Sequence, residues 1–292
     1  MKFRIKHTTT YQYSDQVSLC QNQARLTPLN NLFQLCLKSE IKISPQADYL
    51  RYFNDYFGNQ VTVFEIPTQH DCLIVTATSE VEVLLRDQNS LFNYILTWEG
   101  VREQLRTPNS FDLLKAAEFC LPSYFTPFNE AIRGYALESF TPGRSIISAC
   151  ECLMARIFND FEYNPGFTTI STPLSTVFAH KKGVCQDFAH FALACLRSLG
   201  LAGRYVSGYI ETIPPEGEIK LEGADATHAW FAIYVPELGW IDFDPTNNIL
   251  PTDQHISLAI GRDFSDVTPL KGVVFGGGAH QLNVAVDMTR LK

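Results

Sequence analysis

Gly183-Val184-Cys185-Gln186-Asp187-Phe188-Ala189-His190, the start of a segment that runs to Gly200, decides how this 292-residue chain is read. Phe188, Ala192, Cys195 and Leu199 recur at helical spacing and Gly200 stands where a helix stop belongs, so the segment predicts a helix with one apolar stripe. Cys185 begins that helix. At a helix amino terminus, unpaired backbone N–H groups and the helix dipole favour a thiolate over a thiol. A free cysteine is more often an inert core residue, as Cys195 within the stripe is expected to be. Cys185 therefore acquires chemical meaning only with a base beside it. His190 is the nearest in sequence, but five residues along a helix turn a side chain roughly 140° away. The base has to come from elsewhere in the fold.

His228 opens a strand signal in Ala226-Thr227-His228-Ala229-Trp230-Phe231, with a small residue on either side of Trp230's neighbour His228 leaving room for a partner. Asp244 ends the next one, Gly239-Trp240-Ile241-Asp242-Phe243-Asp244-Pro245-Thr246. Strand alternation puts Trp240, Asp242 and Asp244 on one face, and Pro245 ends regular pairing. Taken singly, His228 reads as a structural strand histidine and Asp244 as a turn-forming Asp before Pro. Together with Cys185 they make a nucleophile, a base and a carboxylate that orients the base. The grouping carries a condition. If the two strands form a hairpin, His228 and Asp244 share a face only when paired residue numbers sum to an even value, which requires a three- or five-residue loop, or a bulge.

Residues 1–88 carry strand signals at Phe3–His7, Glu40–Ile43, Gln60–Ile66 and Cys72–Val83, punctuated by Gly58-Asn59 and Pro67. An antiparallel β-sandwich domain is expected there. Residues 89–145 turn helical, clearly so over Phe111–Phe119, and read as a connector or lid. Residues 146–292 form the expected catalytic core with a C-terminal extension: a helix over Ile146–Phe158, the Cys185 helix, and strands at Arg204–Ile210, Ala229–Val235 and Trp240–Asp244. The fold class is α+β.

The order Cys, His at a strand start and Asp at the end of the following strand resembles the papain-like arrangement of the transglutaminase-like superfamily. The segment at 183–190, Ala202-Gly203-Arg204-Tyr205-Val206-Ser207-Gly208-Tyr209, His228-Ala229-Trp230 and Asp244-Pro245-Thr246 are similar to a bacterial branch of it. So are Gln34 and the 55–59 segment, which look like its β-rich amino-terminal domain, and Gly261–Pro269, which looks like its carboxy-terminal extension. The resemblance implies a thiol acyl-transfer enzyme with Cys185, His228 and Asp244 as its triad. Gln186, Tyr163 and Asn164 are candidates for a second oxyanion donor beside the Cys185 N–H. Asp187 and Trp230 belong to the matching words as support residues, with structural hydrogen bonding expected of Asp187. Animal transglutaminases depend on calcium, but Glu216, Glu218, Glu222 and Asp225 lack the spacing of an oxygen cage, so neither metal nor cofactor is expected.

Hydrophobic residues make up 46% of the chain and charged residues 18%, enough to bury cores without metals or disulfides. The net charge of -8, with no basic run, argues against nucleic acid and against anionic membranes as partners. The amino terminus lacks the apolar stretch of a secretory signal, and apolar runs are too short for a bilayer. Eight dispersed cysteines suit a reduced cytoplasmic protein. The expected substrate is a peptide or protein amide, more readily hydrolysed than transamidated because water is always present. A non-catalytic peptide-binding module on the same fold is the alternative. The sequence leaves the oligomeric state open.

Overall fold

Apolar alternation in the amino-terminal strand runs well past His7, and in the computed structural model, which describes residues 1–84, 91, 93–212 and 225–291, it forms one strand, β1 (Lys2–Ala24). Strands β2 (Gln34–Ser44), β3 (Tyr49–Asn54), β4 (Gln60–Ile66) and β5 (His70–Val83) follow. Then come helices α1 (Trp98–Arg106), α2 (Phe111–Ala117), α3 (Glu130–Leu137) and α4 (Ile146–Asp160). Next are β6 (Glu162–Tyr163), α5 (Leu174–His180), β7 (Lys182–Gly183), the cysteine-bearing α6 (Cys185–Ser198), β8 (Gly203–Ile210), β9 (Ala226–Val235), β10 (Gly239–Phe243), β11 (His255–Gly261) and α7 (Phe264–Val267). Strands β12 (Leu270–Gly276) and β13 (His280–Leu291) close the chain. Glu216, Glu218, Glu222 and the expected boundary at residues 88 and 89 lie outside the described residues.

Strand β1 organises the larger sheet. Along its first half it pairs with β5 and β13, and along its second with β4 and β12. Its register shifts between Gln12 and Val17 against β5, and between Val17 and Leu19 against β12. Bulges of this kind bend a strand and let it pass from one packed layer to the next. The expected sandwich is thus one seven-stranded antiparallel sheet turned on itself, with β1 common to both halves. Between the halves lie Val17, Cys20, Phe64, Ile66, Leu73 and Val75. The carboxy-terminal strands, expected as an extension of the catalytic half, join this sheet: β13 takes the edge of β1 that β5 leaves open, and β12 the edge that β4 leaves open.

The smaller sheet has the order β10-β9-β8-β11 and packs against α6. Helix α6 was expected to bury one stripe; residues Asp187–Arg197 are all buried, because α3, α4 and α5 cover the sides the sheet does not. Its charged end is accommodated by carbonyls: Arg197 donates to Phe119 O (3.1 Å), Gly203 O (2.9 Å) and Arg262 O, and to the hydroxyls of Ser123 and Thr126.

Strand β11 is the outer edge of the smaller sheet, and two carboxamides satisfy it, Gln34 at the start of β2 and Asn59 in the turn between β3 and β4. Gln34 accepts from Ser257 N–H (2.8 Å) and donates to Ser257 O (2.9 Å). Asn59 does the same to Ile260, at 2.8 Å in both directions. Asn59 is itself held by Asp55, which also pairs with the buried Arg25 at 3.0 Å. Gln34→Leu leaves the buried Ser257 N–H without an acceptor and is expected to lower the unfolding free energy by about 1–3 kcal/mol. Urea denaturation checks this, and an unchanged midpoint with an unchanged slope sinks it.

Candidate active site

The turn into α6 is fixed by Asp187. Its Oδ2 accepts from the Val184 N–H (2.9 Å) and from Thr168 Oγ1 (2.7 Å), capping the helix one residue before Cys185. A Cβ at residue 183 would lie 2.6 Å from that oxygen, so only glycine lets the carboxylate fold back. The preceding turn is held by Lys181, in the left-handed region (φ 52), with its ammonium 4.2 Å from the Tyr135 ring centroid and 4.4 Å from that of Phe178. Cys185 itself is partly buried.

The hairpin condition is met. Gly239 pairs with Val235 and Phe243 with Phe231, an even register around the three-residue loop Pro236–Leu238. Extended one residue, it sets Asp244 opposite Trp230 and diagonal to His228. The His228 Nε2 lies 2.8 Å from Asp244 Oδ2, which leaves Nδ1 as the nitrogen open to the Cys185 side chain, whose proximity also raises the imidazole pKa. Burial alone would lower the pKa of His228; hydrogen bonds to Asp244 and Cys185 and their charges outweigh it and raise the value to about 10.

Asp244 is fully buried, which by itself raises its pKa, yet it is held below the usual carboxylate range by its donors. Oδ1 accepts from the backbone N–H groups of Thr246 (3.0 Å) and Asn247 (3.3 Å). Oδ2 receives His228, the Asn247 amide (2.7 Å) and His255 Nε2 (3.0 Å). Asp244 is therefore both a turn former and the partner of His228, one oxygen for each.

His255 and Asn247 were not among the residues expected here. The Asn247 contact had a signal in the Asp-Pro-Thr-Asn run, where a short polar side chain follows the turn. His255 had none, because β11 itself was not anticipated. The ligand atoms of His228, Asp244 and His255 lie within 4.8 Å of one another, a set that invites comparison with a metal centre. Their hydrogens argue otherwise. The Thr252 N–H donates to His255 Nδ1 (3.4 Å), so Nε2 carries a proton and is a donor, whereas a ligating imidazole donates from its other nitrogen.

The support candidates take different places around Cys185, and Tyr163 lies one strand pairing from the turn that precedes it. It sits on β6 against Gly183, half-exposed, and burial followed by the Cys185 charge raises its phenol pKa. Asn164 is committed elsewhere: it accepts from Gly166 N–H (3.2 Å) and donates to Glu162 (3.3 Å). Gln186 is partly buried in the first turn of α6. Trp230 walls the site, 5.9 Å from the His228 ring and edge-on to His255 at 5.3 Å. Gly208, paired with His228, makes room for it, since a Cβ there would lie 2.5 Å from the indole. His190 is no rival base. It is buried against Phe125, accepts from the Phe264 N–H (3.2 Å), and burial pushes it down to about 3.

Residues 3–82 match the bacterial transglutaminase-like N-terminal region, and residues 137–245 match the transglutaminase-like superfamily. An uncharacterized Mycobacterium tuberculosis protein is 36% identical over 294 residues, covering 98% of this chain and 92% of that one. The protein-glutamine gamma-glutamyltransferase of Pseudomonas aeruginosa is 28% identical over 123 residues, 39% of this chain and 18% of that protein. Among solved structures, a candidate cysteine protease from Cytophaga hutchinsonii shares the fold with a TM-score of 0.78 at 23% identity, over 100% of this chain and 91% of that one.

Raising the folded pKa of His228 has a thermodynamic consequence. The stability it contributes is fully present below the free-imidazole value of 6.5 and is lost as pH rises towards 10. The difference in unfolding free energy between the wild type and His228→Gln is expected to be largest near pH 6 and to shrink by pH 10. Denaturation series at the two pH values test it, and a constant difference counts against the pairing.

Proposed function

Since the chain belongs to the transglutaminase-like superfamily, we propose that it is a thiol-dependent acyl-transfer enzyme acting on amide bonds of peptides or proteins. Cys185 is the nucleophile, His228 the acid and base, and Asp244 the group that orients His228. One observation carries this reading: a buried Asp244 bonded to His228 Nε2 at 2.8 Å, with the charge of Cys185 acting on the same imidazole and that cysteine at a capped helix amino terminus. The Cys185 thiolate attacks the amide carbonyl. The C–N bond breaks as the His228 imidazolium gives its proton to the leaving amine, and a thioester remains. Water then gives a proton to His228 and attacks the thioester, releasing the acid and the thiolate. The Cys185 N–H stabilises the oxyanion, and Tyr163 and Gln186 are the candidates for a second donor.

Hydrolysis leads because water is always available, and the likeness to a candidate cysteine protease fits it. Transfer to a primary amine is the second reading, favoured by the similarity to the Pseudomonas glutamyltransferase. All eight cysteines are unbridged, and among the described residues no helix is long and apolar enough to cross a membrane. The unbridged cysteines suit a reduced, cytoplasmic compartment.

Wild type and Cys185→Ala, incubated with a peptide library with and without a primary amine, separate these readings by product mass. A free-acid product made only by the wild type is expected, and an amine adduct in its place overturns hydrolysis. Asp244→Asn is expected to lower kcat by about a hundred- to ten-thousandfold. No turnover, with all eight thiols alkylated slowly and alike, would leave a peptide-binding module.

A further inference from the structure

We propose that His255 is a positioning residue of this site: its Nε2–H, with the tautomer fixed by the Thr252 N–H on Nδ1, holds Asp244 ionised and aimed at His228. The inference rests on the catalytic reading above and adds a fourth member to it. His255 is buried at the start of β11, 3.0 Å from the same Oδ2 that His228 reaches at 2.8 Å. An oxygen that receives two imidazole N–H groups and an amide N–H has no room for a proton, so the carboxyl group remains an acceptor. His228 must then carry its own proton on Nε2. Its Nδ1 is left to exchange a proton with Cys185, the arrangement that acyl transfer needs.

The ionisable groups around Asp244 are His228 from β9 and His255 from β11, with Cys185 from α6 beyond His228. Trp230 closes the space between the two imidazoles, 5.9 Å from one ring and 5.3 Å from the other. Without His255, the carboxyl group loses a donor to its ionised form and takes up a proton at a higher pH. The acid limb of any activity that depends on the Cys185–His228 pair then moves upward in pH.

The test is the second-order rate of iodoacetamide alkylation at Cys185, read by mass spectrometry from pH 3 to 9, for wild type, His255→Met and His255→Gln. Alkylation needs no substrate. In His255→Met the acid limb is expected to move up by about one pH unit or more, so that the rate at a fixed pH on that limb falls by about tenfold or more, as for loss of a hydrogen bond to a charged group. Gln carries an N–H at similar reach and is expected to restore most of that rate, a rescue that a purely structural role does not predict. A His255→Met profile that overlays the wild type overturns the proposal, as does an equal, pH-independent loss in both variants. A wild-type Cys185 no faster than the other seven thiols overturns the catalytic reading and this inference with it. Should His255→Met fail to fold, nitrogen-15 NMR of the wild type decides: His255 is expected as the Nε2–H tautomer, and the Nδ1–H tautomer overturns the proposal.

Discussion

A carboxylate stripped of water is the constraint to which the rest of the site answers. Burying Asp244 disfavours its charge, and the protein offsets that with donors on both oxygens: two backbone N–H groups on Oδ1, and two imidazoles and an amide on Oδ2. Each donor comes from a different obligation of the chain. The backbone pair exists because the chain turns at Pro245, His228 because β9 and β10 meet in an even register, and His255 because β11 begins beside them. Remove the turn, the register or the edge strand, and the charge is left without part of its compensation.

The edge strand is the link that reaches furthest. Strand β11 pairs with β8 on one side only, and its open side would present unpaired N–H and C=O groups. Gln34 and Asn59 fill two of those positions by imitating a neighbouring backbone, each donating and accepting at a single residue. A leucine or methionine of equal size could pack there but could not complete the ladder. The amino-terminal sheet is thereby joined to the strand that carries His255, two residues before the Gln34 contact.

What the sequence made legible was whatever depended on local order. The helix beginning at Cys185 and the turn at Asp244-Pro245 are properties of neighbouring residues, and local pattern exposes them. Alternation set His228 and Asp244 on one face only on condition of an even register, which the pairing of Gly239 with Val235 meets. The parts that stayed hidden depend on distant pairing. Strand β1 runs on to Ala24 because β4 and β12, far away in sequence, accept its second half. His255 lies in a stretch whose strand character comes from β8, and its approach to Asp244 has no signature in spacing. Gln34 and Asn59 stood out only through the family resemblance of their segments, and their contacts with Ser257 and Ile260, some two hundred residues on, have no local signal.

Chain order then explains why the amino-terminal sheet is more than an appended domain. After β11, the chain passes through α7 and returns as β12 and β13 to pair with β1, so the larger sheet contains both ends of the polypeptide. The smaller sheet is inserted between them. Phe3, Ile5, Val81 and Val83 of the larger sheet share a core with α6 and β9, so the two sheets do not bury their apolar faces separately. Loosening β1 from β13 therefore disturbs the surface against which the smaller sheet packs as well as the clamps on β11. The geometry at Asp244, set locally by a turn and a register, is kept in place by the pairing of residues at opposite ends of the chain.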